Sequence, residues 1–175
     1  GVTRDRVTYL MEHNGRFFEL VDTGGIGIDD VDNLTKEIEQ QIDSALESAD
    51  IVLFVVDTRT GIASLDNEVA KRLRYIDKPV ICVANKTDDE RLEPQADEFY
   101  KFGLKLVKVS TLQNRNKDDL LGEIFRKLPA NVMFEKQPDE PKMKVAIVGR
   151  RNTGKSTFVN TLAKAERMIV SEIPG

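Results

Sequence analysis

The chain has no tryptophan, a single cysteine and a single histidine. One thiol cannot close an intramolecular disulfide, so the fold relies on packing and hydrogen bonds and needs no oxidising compartment. Cys82 lies in the run Val80-Ile81-Cys82-Val83 and reads as a buried core thiol. His13 lies in His13-Asn14-Gly15, a turn signal, and reads as a solvated loop residue rather than a ligand or base. No apolar stretch approaches the roughly 18 residues that cross a bilayer, and a secretory leader pattern is lacking. The expectation is a cytoplasmic protein with no membrane partner. An excess of one charge is lacking too, with 30 acidic residues against 26 basic and a net charge of -4. That balance argues against a nucleic-acid-binding surface over the whole molecule.

What is present, in 175 residues, suffices for one compact domain or for pieces of two. Four short runs rich in β-branched residues read as fully buried strands: Ile51 to Val56, Val80 to Ala84, Leu104 to Val109 and Lys144 to Val148. Helical patterns alternate with them. Leu34, Ile38, Ile42, Ala45 and Leu46 share one helical face, as do Leu65, Val69, Leu73 and Ile76, with Ser64 placed as an N-cap. Further helices are predicted near Pro94 to Phe102, ended by Gly103, and from Lys117 to Leu128, ended by Pro129. Such alternation implies an α/β fold with a parallel sheet covered on both faces. Val7 to Glu12 and Arg16 to Val21 read instead as an antiparallel hairpin through Asn14-Gly15. From Pro129 to Met143 three prolines exclude a stable helix or central strand, so residues 129–143 read as a linker. Its roughly 14 residues span up to about 45 to 50 Å, enough to cross a small domain.

The sharpest motif is Gly149-Arg150-Arg151-Asn152-Thr153-Gly154-Lys155-Ser156, which fits G-x-x-x-x-G-K-[ST]. A buried strand precedes it, and a helical stretch from Lys155 to Ala165 begins at its end. Backbone N–H groups of such a loop close around a phosphate at a helix N-terminus. Lys155 is placed to neutralise β- and γ-phosphates, and the Ser156 hydroxyl to bind Mg²⁺. Arg150 and Arg151 read more readily as a solvated loop pair than as an RNA contact.

Asp22-Thr23-Gly24-Gly25 follows the strand ending at Val21. Its carboxylate can hold Mg²⁺ through water, and Gly25 can offer an N–H to a γ-phosphate, although the same four residues also make a good turn. Asn85-Lys86-Thr87-Asp88 directly follows another strand. The Asp88 carboxylate can accept from the N1–H and exocyclic amine of guanine, a donor pair that adenine does not present. Asn85 can contact the base edge or tie loops together, and the Lys86 stem can lie over the ring. Ser110-Thr111, after a further strand, can offer backbone to the guanine O6.

The set GVTRD, DTGG, NKTD, ST and GRRNTGKST, the last ending on Thr157, resembles the GTPases related to Era. Within them it most resembles the tandem-domain Der (EngA) family, with two GTPase domains followed by a domain similar to an RNA-binding KH fold. The resemblance covers nearly all of the chain except the linker. It implies a P-loop NTPase three-layer sandwich: a mostly parallel sheet with one antiparallel edge hairpin. It also implies GTP/GDP and Mg²⁺ as ligands, hydrolysis of GTP to GDP and phosphate, and a role in large ribosomal subunit assembly. By the same resemblance, Thr3 matches a first-switch threonine on Mg²⁺ and γ-phosphate, and Asp22 to Gly25 belong to the second switch. Ile26 stands where Ras-like GTPases carry a water-orienting glutamine. Relatives lacking that glutamine often use K⁺, held partly by the asparagine matching Asn152. Lys155, Thr3, Gly25 and Asn152 are thus the expected catalytic set. The other reading is a nucleotide-gated binding module with little or no hydrolysis.

The motif order is rotated, with the phosphate loop last. A segment running from the first switch of one domain to the first switch of the next explains it, and so does a circular permutant opened in that switch. Either way, residues 1–128 lack a phosphate-loop segment of their own. The expectation is that 144–175 complete the same sheet, in cis or by swapping between two chains.

Overall fold

The structure, a computed structural model, describes residues 7–13, 16–23, 34–127, 143–150, 152–165 and 167–171. Strands β1 (Val7–His13) and β2 (Arg16–Asp22) form the predicted antiparallel pair, in register from Val7 opposite Asp22 to His13 opposite Arg16. Helix α1 (Leu34–Ser48), β3 (Ile51–Asp57), α2 (Ser64–Leu73) and β4 (Val80–Asn85) follow. After them come a 3₁₀ turn (Glu90–Leu92), a single α turn α3 (Glu93–Ala96) and a second 3₁₀ stretch (Asp97–Phe102). The chain then runs through β5 (Lys105–Lys108), α4 (Lys117–Arg126), β6 (Lys144–Val148), α5 (Lys155–Ala165) and β7 (Arg167–Ser171).

All seven strands share one sheet, in the order β5-β4-β3-β6-β2-β1-β7. The block from β5 to β2 is parallel, while β1 pairs antiparallel with both β2 and β7. Strand β6 therefore lies between β2 and β3, with Leu20 opposite Val145 on one side and Ile51 opposite Val145 on the other. The Asp50 carboxylate receives the Lys144 N–H at 2.8 Å and so pins the entry of that strand.

Period-two alternation feeds two cores. Ile51, Leu53 and Val55 of β3, with Val145 and Ile147 of β6, pack against Leu120, Leu121 and Ile124 of α4 and Phe158, Val159 and Leu162 of α5. Val52, Phe54 and Val56, with Ala146 and Val148, face Ile42 and Ala45 of α1, Val69 and Leu73 of α2, and Phe99 and Phe102. These strands read as unbroken apolar runs because both of their faces are covered. Truncating a fully buried member such as Leu53 to alanine costs about 2–5 kcal/mol.

Several local expectations shift. The 94–102 stretch is not one helix but a short α turn between 3₁₀ pieces, stopped at Gly103 in the left-handed region (φ 71°). Ser64 is the first residue of α2 rather than its cap; the Ala63 N–H is instead taken by the Asp66 carboxylate at 2.9 Å. The hairpin is not the sheet's outermost part, because β7 lies beyond β1. His13 ends β1 and stacks on Phe125, with centroids 5.4 Å apart and planes 9° from parallel, so it is a packed residue rather than a solvated one. Cys82 is fully buried, and burial pushes its thiol far above the usual range, which leaves it unreactive. The Asn14-Gly15 turn and the 129–142 part of the linker lie outside the described residues. No described helix is long and apolar enough to cross a membrane.

Candidate nucleotide site

Parallel strands β6, β3 and β4 all end at the same edge of the sheet, and each hands over to a loop carrying polar side chains. The loop after β6 begins at Gly149, whose N–H donates to the buried Gln41 Oε1 of α1 at 3.1 Å. A Cβ on Gly149 would stand 2.5 Å from the Val55 carbonyl oxygen, so only glycine fits. Asn152 takes the left-handed region (φ 65°), and Gly154 (φ 91°) lets the loop turn into α5. The Thr153 hydroxyl closes the curve by donating to the Arg150 carbonyl at 3.0 Å. Lys155 is almost wholly buried, and its Nζ donates to the Gly149 and Arg150 carbonyls at 2.5 and 2.7 Å. Its ammonium is therefore held inside the curve of the loop. Ser156 and Thr157 are exposed on the first turn of α5.

The loop after β4 is tied to this one. Asn85 Nδ2 donates to the Thr153 carbonyl at 3.1 Å, while its Oδ1 receives the Thr111 N–H at 3.3 Å. Of the two roles open to Asn85, this geometry is the tying of loops. Lys86, in the left-handed region (φ 65°), bonds Asp57 Oδ2 at 2.8 Å and the Asn152 carbonyl at 3.0 Å. The Thr87 hydroxyl is buried against that of Thr58 at 2.8 Å. Asp88 accepts the Ser110 hydroxyl on Oδ1 at 2.6 Å and the Arg59 guanidinium on Oδ2. Burial pushes the Asp88 carboxyl up, but the bonds from Ser110 and Arg59 and the Arg59 charge outweigh it and hold it below the usual carboxylate range. Asp88 is thus an anion with a sharply defined direction.

Between the loops opens a cavity of about 320 Å³ lined by Arg59, Asn85, Lys86, Asp88, Thr111, Leu112, Gly154 and Thr157. It meets the phosphate loop at one end and the Asp88 carboxylate at the other. Asp22 closes β2 opposite Ile147, two residues before the phosphate loop, and the Thr23 hydroxyl donates to the Ile147 carbonyl. Strand pairing thus brings the Asp22 segment beside the phosphate loop from 124 residues away in sequence.

The structure therefore gathers Gly149, Arg150, Asn152 to Thr157, Asp22, Thr23, Asn85 to Asp88, Ser110 and Thr111 at one sheet edge. Thr3, Gly24, Gly25, Ile26 and Arg151 lie outside the described residues. Arg150 is not a solvated residue: its Nε pairs with Asp66 at 3.2 Å and its Nη2 reaches the Thr60 hydroxyl at 2.7 Å. Burial raises the Asp66 carboxyl, while bonds from the Ala63 N–H and Arg150 partly offset that. Four participants carried no motif: Gln41, Asp57, Arg59 and Asp66. Asp57 alone left a trace, as a carboxylate closing an otherwise apolar strand.

A family model described as a 50S ribosome-binding GTPase matches residues 1–86 and 144–175. The chain belongs to this family. Along its whole length it is 55% identical, over 180 residues, to GTPase Der of Rhodopirellula baltica, of which it covers 38%. It is 47% identical over 176 residues to GTPase Der of Desulforamulus reducens, covering 39% of that protein. The chain is thus a Der-type GTPase segment that spans about two fifths of the length of these relatives. Among solved structures, translation elongation factor SelB from Methanococcus maripaludis, in complex with the GTP analogue GppNHp, superposes with a TM-score of 0.56 at 18% identity. That match covers 79% of this chain and 31% of the other, and it shows a shared P-loop GTPase fold.

Proposed function

We propose that this chain binds GTP and GDP in the cavity between the phosphate loop and Asp88, and that it hydrolyses GTP to GDP and phosphate. The observation that carries the reading is the cavity itself. A loop built to wrap an anion stands at one end and an ionised, aimed carboxylate at the other. Asp88 would accept the paired N–H donors of guanine, Thr111 would edge the base, and the Lys86 stem would lie over it. The loop N–H groups and Lys155 would hold the phosphates, and Lys155 would release its two carbonyl partners to do so.

The donors also fit a divalent cation: the Ser156 hydroxyl lies in the first turn of α5 and the Asp22 carboxylate ends β2, both hard oxygen ligands. With Thr3 they would hold Mg²⁺, which supplies charge neutralisation at the phosphate oxygens. Thr3 and Gly25 would complete the γ-phosphate contacts. Because Ile26 offers no amide to orient water, hydrolysis would be slow and faster in KCl than in NaCl, with Asn152 holding K⁺. Loss of the potassium stimulation in Asn152→Ala is the expected result; an intact stimulation overturns the assignment.

We also propose that 7–127 and 143–171 form one domain within one chain, with β6 as its inner strand, rather than by exchange between two copies. Binding of labelled GDP together with the mass in solution tests both proposals. Micromolar or tighter binding by a monomer is expected. A chain that binds no GDP overturns the first, and an obligate dimer overturns the second. The large ribosomal subunit is the partner that the family description suggests. Coupling to a partner would run through Gln41, whose Oε1 links the helix behind the second switch to Gly149. A nucleotide-gated output beside hydrolysis is the second reading, and this bond is the link it would use.

A further inference from the structure

Arg59 belongs to no motif, yet it reaches the most selective group of the cavity. Its backbone N–H is fixed by Asp57 Oδ1 at 2.8 Å, directly after β3. Its side chain is 58% exposed, and both Nε and Nη2 donate to Asp88 Oδ2, at 2.9 and 2.5 Å. Ser110 donates to the other oxygen, Oδ1, at 2.6 Å. A carboxylate oxygen offers about two acceptor directions. Arg59 therefore fills Oδ2, whereas Ser110 leaves Oδ1 half open.

A guanine edge brings two parallel N–H donors and needs one direction on each oxygen. It can share Oδ1 with Ser110 but cannot share Oδ2 with both nitrogens of Arg59. The guanidinium is itself a planar, paired N–H donor, with a positive charge added. We propose that Arg59 is an internal competitor for Asp88, occupying the base-recognition carboxylate until guanine displaces it. The inference rests on the guanine reading of the cavity. It deepens that reading, because guanine affinity then becomes a difference between two sets of donors on one carboxylate.

The size of the effect is bounded by exposure. A mostly exposed guanidinium regains water when it leaves, so the competition is modest and sensitive to salt. The test is fluorescent-GDP binding to the full chain and to Arg59→Ala and Arg59→Gln, each at low and high NaCl. Both variants should bind GDP about 2- to 5-fold more tightly at low salt. The gain should shrink at high salt, where the wild-type pair is screened. Weaker or unchanged GDP binding by folded variants overturns the competition while leaving the guanine reading intact. Absence of GDP binding in wild type and variants alike overturns both. The glutamine variant keeps a long polar side chain, so weaker binding by alanine alone would mark Arg59 as a support of the loop and also reject the inference.

Discussion

The two ends of the cavity are held in different ways. At the base end, side chains tie separate segments together: Asp57 bonds Lys86, Thr58 bonds Thr87, Asn85 takes the Thr111 N–H, and Asp88 takes Ser110 and Arg59. At the phosphate end the shape is set by backbone. Gly149 is pressed against the Val55 carbonyl, Asn152 and Gly154 adopt positive φ, and Lys155 is turned onto loop carbonyls. Side-chain networks degrade by steps, since each bond can be lost singly. A backbone curve whose Cβ positions are refused fails all at once.

The largest effect should come from Gly149→Ala. The added methyl meets a main-chain oxygen that cannot swing aside, at a φ of 153°. Strain of about 2–4 kcal/mol and loss of measurable GDP binding are expected from thermal unfolding and titration. Survival of tight binding would erase the contrast between the two ends.

Asp88→Asn should come next, lowering GTP affinity about 30- to 1000-fold and shifting preference towards xanthosine triphosphate in competition binding. Unchanged GTP selectivity would move recognition away from this carboxylate. The pH dependence carries the same sign. A carboxyl held low in the folded protein contributes above its unfolded value, and that contribution is lost only as pH falls through the folded value. Guanine preference should therefore stay flat as pH falls from neutral into the ordinary carboxylate range and fail only below that range.

Smaller still is the effect expected of Asn85→Ala. It orphans the Thr153 carbonyl and the Thr111 N–H together, which costs about 1–3 kcal/mol and weakens GDP about 10- to 100-fold. Because Asn85 joins the two ends, combining this change with Asp88→Asn should give less than the sum of the separate losses. Strict additivity would show that the ends act independently.

How much of this was legible in the sequence follows the same division. The phosphate loop shows itself because its chemistry demands glycine, lysine and serine at fixed spacing, between a strand and a helix that are also readable. Asn85 to Asp88 are readable for a similar reason, being one short run behind a buried strand. Gln41, Asp57, Arg59 and Asp66 are not, because each joins the site through a partner far away in sequence: Gly149, Lys86, Asp88 and Arg150 in turn. Arg150 is the clearest case: beside Arg151 it looks like a solvated basic pair, and only the fold reveals a buried carboxylate beneath it. In the fold, the long apolar strands were clear. The 94–102 stretch was not, since a stretch of 3₁₀ turns carries nearly the same apolar spacing as a helix. Strand β7 follows α5 so closely that no turn signal separates them, and its partner β1 lies about 160 residues earlier.

The position of β6 has a kinetic consequence. The hairpin β1–β2 and the β3–β4–β5 block are each built from pairings close in sequence, yet they touch in the sheet only through a strand roughly 90 residues downstream of β3. Closing that distance costs chain entropy before any contact repays it. Refolding of this chain should therefore begin as two independent half-sheets and end with the slow insertion of β6 between them and the pairing of β7 with β1. The nucleotide cavity, lined by loops of the β3–β4–β5 side and by the loop and helix that follow β6, should be the last feature to form and the first lost on unfolding.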